Sequence, residues 1–84
     1  MTGLEAKHAD RHKQIGLKIA YYRKLRGLTQ EEFSEQSGIS MSHISALEAT
    51  NVERTVSINT LFDIADLLGV PPHKFFLFDD EDII

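Results

Sequence analysis

Cysteine is absent from the sequence. No disulfide can support the fold, and 84 residues amount to one domain. A single core of that size rarely supplies more than about 3–5 kcal/mol without a disulfide, a metal or a partner subunit. Compact helix packing or self-association has to make up the difference, and the composition fits a reducing compartment. Long apolar runs are missing too: nothing approaches the roughly 20 residues of a membrane span, and the opening MTGLEAKHADRHKQ is polar, unlike a secretion signal. The expected location is the cytoplasm. No stretch alternates apolar and polar residues as a half-buried strand does, so the expected class is all-α. Basic residues are scarce in one part of the chain only. Residues 29–84 carry eleven acids against Arg54 and Lys74, whereas residues 7–28 carry seven bases against Asp10 alone, within a net charge of −4. That separation implies one basic side able to meet a polyanion and an acidic end that avoids one.

What is present reads as helices. Apolar residues at 42% and charged residues at 26% are ordinary for a soluble globular chain. Ile15, Ile19, Tyr22 and Leu25 recur at steps of four, three and three, which predicts one apolar stripe on a helix from about Lys13 to Arg26, ended by Gly27. Thr29 and Glu32 have the spacing of a capping box, in which each side chain satisfies a free backbone N–H, so a second helix starts there, turns Phe33 inward and stops before Gly38. Ser40 caps a third helix of about Met41 to Ala49. Ser57 caps a fourth that buries Leu61, Ile64, Ala65 and Leu68 before Gly69. Pro71 and Pro72 open a short fifth turn carrying Phe75 and Phe76. The expected organisation is a polar N-terminal arm over 1–12, a five-helix domain over 13–78 and an acidic tail over 79–84.

Helices two and three are separated only by Gly38-Ile39-Ser40, a turn suited to helices crossing steeply, as in a helix-turn-helix. Small Ser34 lets the two approach, while Phe33, Ile39, Ile44 and Leu47 take the inner side. At about 100° per residue, Ser42, Ser45, Ala46 and Ala49 then lie away from Ile44, with His43 on one flank. A face of small and hydroxyl-bearing groups can enter a DNA major groove, exchanging hydrogen bonds through Ser42 and Ser45 and touching thymine methyls through Ala46 or Met41. It is equally the pattern of an ordinary solvated helix face.

The run IGLKIAYYRKLRGLTQEEFSEQSGISMSHISALE followed by SINTLFDIADLLGVPPHKFF resembles the five-helix DNA-binding domain of the phage Cro and repressor proteins and the wider xenobiotic-response-element regulators. The likeness covers roughly Lys13 to Phe76. It implies that Gln30 holds a DNA phosphate and braces the recognition helix, and that Met41, Ser42 and Ala46 stand at base-reading positions, with His43 and Ser45 able to reach phosphate. It further implies that Arg54 contacts the DNA backbone and that Arg23 and Glu48 form an ion pair joining helix one to helix three. Glu48 also falls about 40° from Ile44, at the edge of the inward face, where a carboxylate calls for a fixed guanidinium. Two departures bear on specificity and strength of binding. Members often carry glutamine or arginine on the outer face of helix three, each giving about 1–3 kcal/mol of base discrimination. Met41, Ser42 and Ala46 make no such bidentate contact. Thr50 and Asn51 stand where glycine is usual.

With no basic residue on helix three, a monomer should bind weakly, and a two-fold dimer reading half-sites one helical turn apart would restore affinity by avidity. Leu77, Phe78, Ile83 and Ile84 exceed what the small core needs and are the candidate dimer surface, unless they fold back onto their own domain. His8 and His12, spaced i, i+4, lack a third ligand, so no metal or cofactor is expected. His43 and His73 have no nearby acid and no serine lies in a nucleophile motif, so no enzyme activity is expected either. The leading expectation is a sequence-specific transcriptional regulator, a repressor or autoregulator that binds double-stranded DNA at a palindromic operator as a homodimer. The alternative is a protein-interaction module, such as an antitoxin, that uses the acidic second half as its contact surface.

Overall fold

The computed structural model describes residues 3–49 and 55–78. Within them the chain forms four α-helices and a closing 3-10 turn: α1 (Gly3–Leu25), α2 (Gln30–Ser37), α3 (Met41–Glu48), α4 (Ile58–Leu68) and the turn Pro72–Phe76. No strand occurs among the described residues. The class is all-α, with four helices rather than five, because the last element is a single tight turn. α1 also begins well before the expected Lys13. Residues 4–12 contain no proline and are rich in alanine, leucine, glutamate, lysine and arginine, all good helix formers. One turn is tied by Arg11 Nη1 donating to His8 Nδ1 at 2.7 Å. The buried core cluster begins only at Ile15, and the polar composition of the preceding segment does not prevent it from being helical.

The caps that separate the short helices are local and chemical. Thr29 Oγ1 accepts from the Glu32 amide at 3.0 Å while Glu32 Oε1 accepts from the Thr29 amide at 2.9 Å, the reciprocal capping box. Ser40 and Ser57 accept from the amides of His43 and Thr60, each at 3.2 Å. Between α2 and α3 the backbone reverses through Gly38 at φ 77°, a left-handed conformation that favours glycine. The Ser34 hydroxyl donates to the Ile39 carbonyl at 2.5 Å, which holds the turn from inside. α4 is closed from across the molecule: Arg26 Nε and Nη2 donate to the carbonyls of Leu68 and Gly69 at 2.6 and 3.2 Å.

All elements contribute to one core, built from Ile15, Ile19, Phe33, Ile44, Leu61, Ile64, Ala65, Leu68, Val70 and Phe75. Each fully buried large side chain there contributes about 1.5–3 kcal/mol. Tyr22 and Phe78 pack against this cluster while partly exposed, and the Tyr22 ring meets Phe75 edge-on at 5.5 Å. Two apolar residues lie outside the core, and one of them, Leu25, is expected on the apolar stripe of the first helix. Leu25, the last residue of α1, is 62% exposed, since the chain leaves the core at that end and none of the described residues covers it. Phe76 is 45% exposed, because three residues per turn separate neighbours by about 120° and only Phe75 can face inward. No helix of the described residues is long and apolar enough to cross a membrane.

Candidate nucleic-acid interface

α3 is held by apolar residues on one side. Ile44 and Leu47 are buried, and Ile44 belongs to the common core. Opposite them, Met41, Ser42, His43 and Ser45 are exposed and Ala46 is half-buried. At about 1.5 Å per residue the helix is roughly 12 Å long, comparable with the width of a B-DNA major groove. Its outer face carries small groups except at Met41 and His43. Ser42 Oγ lies 3.4 Å from the capping hydroxyl of Ser40, which places it at the N-terminal end that leads a recognition helix into the groove.

Seating of α3 depends on a polar cluster as well as on the core. Arg23 is the only buried charged or polar residue among those described, at 6% exposure. Its Nε donates to Glu48 Oε2 at 2.7 Å and its Nη2 to Glu48 Oε1 at 2.9 Å, a bidentate pair, while Nη1 donates to the Leu28 carbonyl at 2.6 Å. The hydrogen bond to Glu48 raises the Arg23 pKa above its ordinary value, against the opposing effect of burial, so the guanidinium keeps its charge throughout the accessible pH range. Gln30, at the start of α2, joins the same cluster: its Nε2 donates to Glu48 Oε1 at 3.0 Å, and its Oε1 accepts from the Ser45 hydroxyl at 3.1 Å. Three helices are thereby linked through side chains.

α1 and α3 approach closely at Gly16, where an added Cβ would run into the Leu47 carbonyl oxygen. Gly16 was not foreseen as part of the site's support. An isolated glycine inside a helical pattern was its signal, since glycine there costs about 1 kcal/mol and a close backbone approach is a common reason for it. The bracing by Gln30 and the Arg26 clamp were likewise invisible to local spacing.

The electrostatics of this face are not basic. α3 has no lysine or arginine, and α2 exposes Glu31, Glu32 and Glu35. Glu32 is bound by the Thr29 backbone amide, which together with the Thr29 side chain lowers its pKa below the usual carboxylate value. Arg54, expected at the backbone, lies outside the described residues, as do Thr50, Asn51, Ile83 and Ile84. Of the expected dimer residues that are described, Leu77 is 54% exposed, whereas Phe78 folds back onto the core. His8 and His12 are half-buried. Among the described residues no group of three or more histidines, aspartates or glutamates could hold a metal.

A protein-family model described as helix-turn-helix matches residues 19–75, a span running from the core residue Ile19 through α2, the Gly38 turn and α3 to Phe75. The chain belongs to the helix-turn-helix family. It is 39% identical over 61 residues to the uncharacterized HTH-type transcriptional regulator y4dJ of Sinorhizobium fredii, covering 73% of this chain and 77% of that protein. Over 65 residues it is 34% identical to the uncharacterized HTH-type transcriptional regulator MJ0272 of Methanocaldococcus jannaschii, covering 77% and 96%. The HTH-type transcriptional regulator SinR of Bacillus licheniformis is 33% identical over 67 residues, 80% of this chain but only 60% of that longer relative. The helix-turn-helix match begins inside α1, so Gly3 to Lys18 lie ahead of it.

Proposed function

We propose that this protein is a sequence-specific DNA-binding transcriptional regulator, a repressor or autoregulator rather than an enzyme, that places α3 in the major groove of a palindromic operator and acts as a homodimer. One observation carries the reading: Met41, Ser42, His43 and Ser45 are exposed on a helix whose other side is anchored by Ile44 and Leu47 and whose end is fixed by Glu48 to Arg23. A rigidly held helix presenting small polar groups suits insertion between duplex backbones. Relatives that bear the name of HTH-type transcriptional regulators support it. In this reading Met41, Ser42 and Ala46 face base edges, while Gln30, His43 and Arg54 face phosphates. Leu77, continued by Ile83 and Ile84, forms the surface that joins two copies. Selection of bound duplexes from a random pool tests the proposal. It should yield a two-fold-symmetric motif with half-sites about 10–10.5 base pairs apart and binding that weakens steeply with salt. No enriched sequence at low salt would overturn it.

One observation favours a second reading, a module that binds another protein through its acidic second half. α2 and α3 lack any basic residue, and Asp63 and Asp66 are exposed on α4. A basic protein partner captured by the wild-type chain, and lost on Asp63→Lys with Asp66→Lys, would support that reading.

A further inference from the structure

The Gln30 side chain has two N–H donors and one oxygen, and its neighbours fix how they are used. The Glu48 carboxylate, in its ion pair with Arg23, has only lone pairs to offer, so the amide nitrogen has to face it, at 3.0 Å. The amide oxygen is then turned to Ser45, and the Ser45 hydroxyl, 3.1 Å away, has to donate. Donor and acceptor roles are thus passed from Arg23 through Glu48 and Gln30 to α3, and among the described residues one N–H of Gln30 Nε2 is left over.

We propose that Ser45 is a positioning residue rather than a DNA contact: with Glu48 it clamps the Gln30 amide at both ends, so that the one uncommitted N–H is a pre-oriented donor for a DNA phosphate. A phosphate oxygen only accepts hydrogen bonds. Ser45, its proton already given to Gln30, therefore cannot serve a phosphate itself, contrary to the role the family resemblance implied. Orientation costs are met in the free protein, which is how a fixed donor gains affinity over a mobile one. This inference rests on the regulator reading above, and its test separates the two.

The full-length protein and its Ser45→Ala, Ser45→Thr, Gln30→Ala and Ser45→Ala/Gln30→Ala variants are titrated against a duplex selected by the wild type and against single base-pair changes of it. Ser45→Ala should weaken binding roughly 2- to 10-fold, the effect of one net hydrogen bond. The loss should be the same on every duplex and disappear when Gln30 is already alanine, and Ser45→Thr should restore binding. A penalty that adds to that of Gln30→Ala, or that is confined to one base pair, makes Ser45 a contact and overturns the proposal. Nuclear magnetic resonance of the free protein gives an arm that needs no DNA. Two distinct Gln30 side-chain N–H signals that move on Ser45→Ala support the clamp, and signals indifferent to that substitution overturn it. Failure of the wild type to select any duplex would count against the regulator reading, leaving the clamp to be judged by its resonance signature.

Discussion

Glu48 accepts three hydrogen bonds on two oxygens, two from Arg23 and one from Gln30, with its side chain only 7% exposed. Glu48→Ala would strand a buried guanidinium, which costs about 3–5 kcal/mol. At about 4–8 °C per kcal/mol for a domain of this size, the expected fall in Tm exceeds about 12 °C. Replacing both partners, Arg23→Met with Glu48→Leu, should recover most of that loss, because no unpaired charge is then buried. Thermal denaturation of both variants beside the wild type checks the pair: equal losses for single and double would show that the charge is not what matters. Gly16 has the opposite character. In an exposed helix interior, glycine to alanine gains roughly 0.5–1 kcal/mol. Here the new Cβ meets the Leu47 carbonyl, so Gly16→Ala should lose about 1–3 kcal/mol through overpacking, seen as a lower denaturant midpoint. Glu32 supplies the pH dependence. Its pKa is lowered on folding, so its contribution is present above the unfolded value of about 4.3 and is lost as pH falls through the folded one. Glu32→Gln should be less stable than wild type at pH 7 and match it in acid. Of these residues, Thr29 and Glu32 were legible because a capping box is four residues long, and the Arg23–Glu48 pairing was accessible through helical angles and resemblance together. That Gln30 braces the recognition helix came from the resemblance alone, and its partners Ser45 and Glu48 were not legible, since they require knowing how two helices are set against each other.

α2 and α3 are eight residues each, shorter than the roughly 12–15 residues an isolated helix needs even to be marginal in water. They persist because Phe33, Ile44 and Leu47 are buried and because both starts are capped. Sequence reading located these elements closely for the same reason: Thr29, Gly38, Ser40 and Ser57 punctuate the chain at helix ends by local chemistry. It failed at the two ends of the domain. Periodicity marks where a helix buries a stripe, not where the helix stops, so α1 was drawn only as far as its apolar residues reach. Leu25 fits the buried stripe by spacing, but spacing alone does not reveal whether a neighbour covers a residue. The extension of α1 gives a direct test. A chain starting at Lys13 keeps Ile15 and every later residue of the core cluster, so it should still unfold cooperatively. Its circular dichroism should drop by the signal of roughly ten helical residues, given about 1.5 Å of helix for each. Collapse of the cooperative transition would mean that the extension belongs to the core.

The charge distribution along the chain predicts that one copy is a poor DNA ligand. Bases are concentrated in α1, one of them, Arg23, is consumed by its ion pair, and α2 offers glutamates where a phosphate-binding surface would carry lysine or arginine. Each phosphate neutralised contributes about −0.9 to the slope of log K against log salt on duplex DNA. With no lysine or arginine on α2 or α3, a single copy should show a shallow slope and weak affinity. Joining two copies adds their contacts and makes the second half-site an intramolecular event, a gain of about 10²–10⁴-fold when the geometry allows both to engage. Leu77, 54% exposed at the end of the core, belongs to the surface proposed for that union. Leu77→Asp introduces a charge without disturbing a core residue. It should leave the melting transition of the domain intact, shift the sedimentation coefficient to that of a monomer, and cut affinity for a selected two-half-site duplex by at least about 10²-fold, with little change for a single half-site. A Leu77→Asp variant that still sediments as a dimer would place the interface elsewhere, and a monomer that keeps full affinity would remove avidity from the explanation.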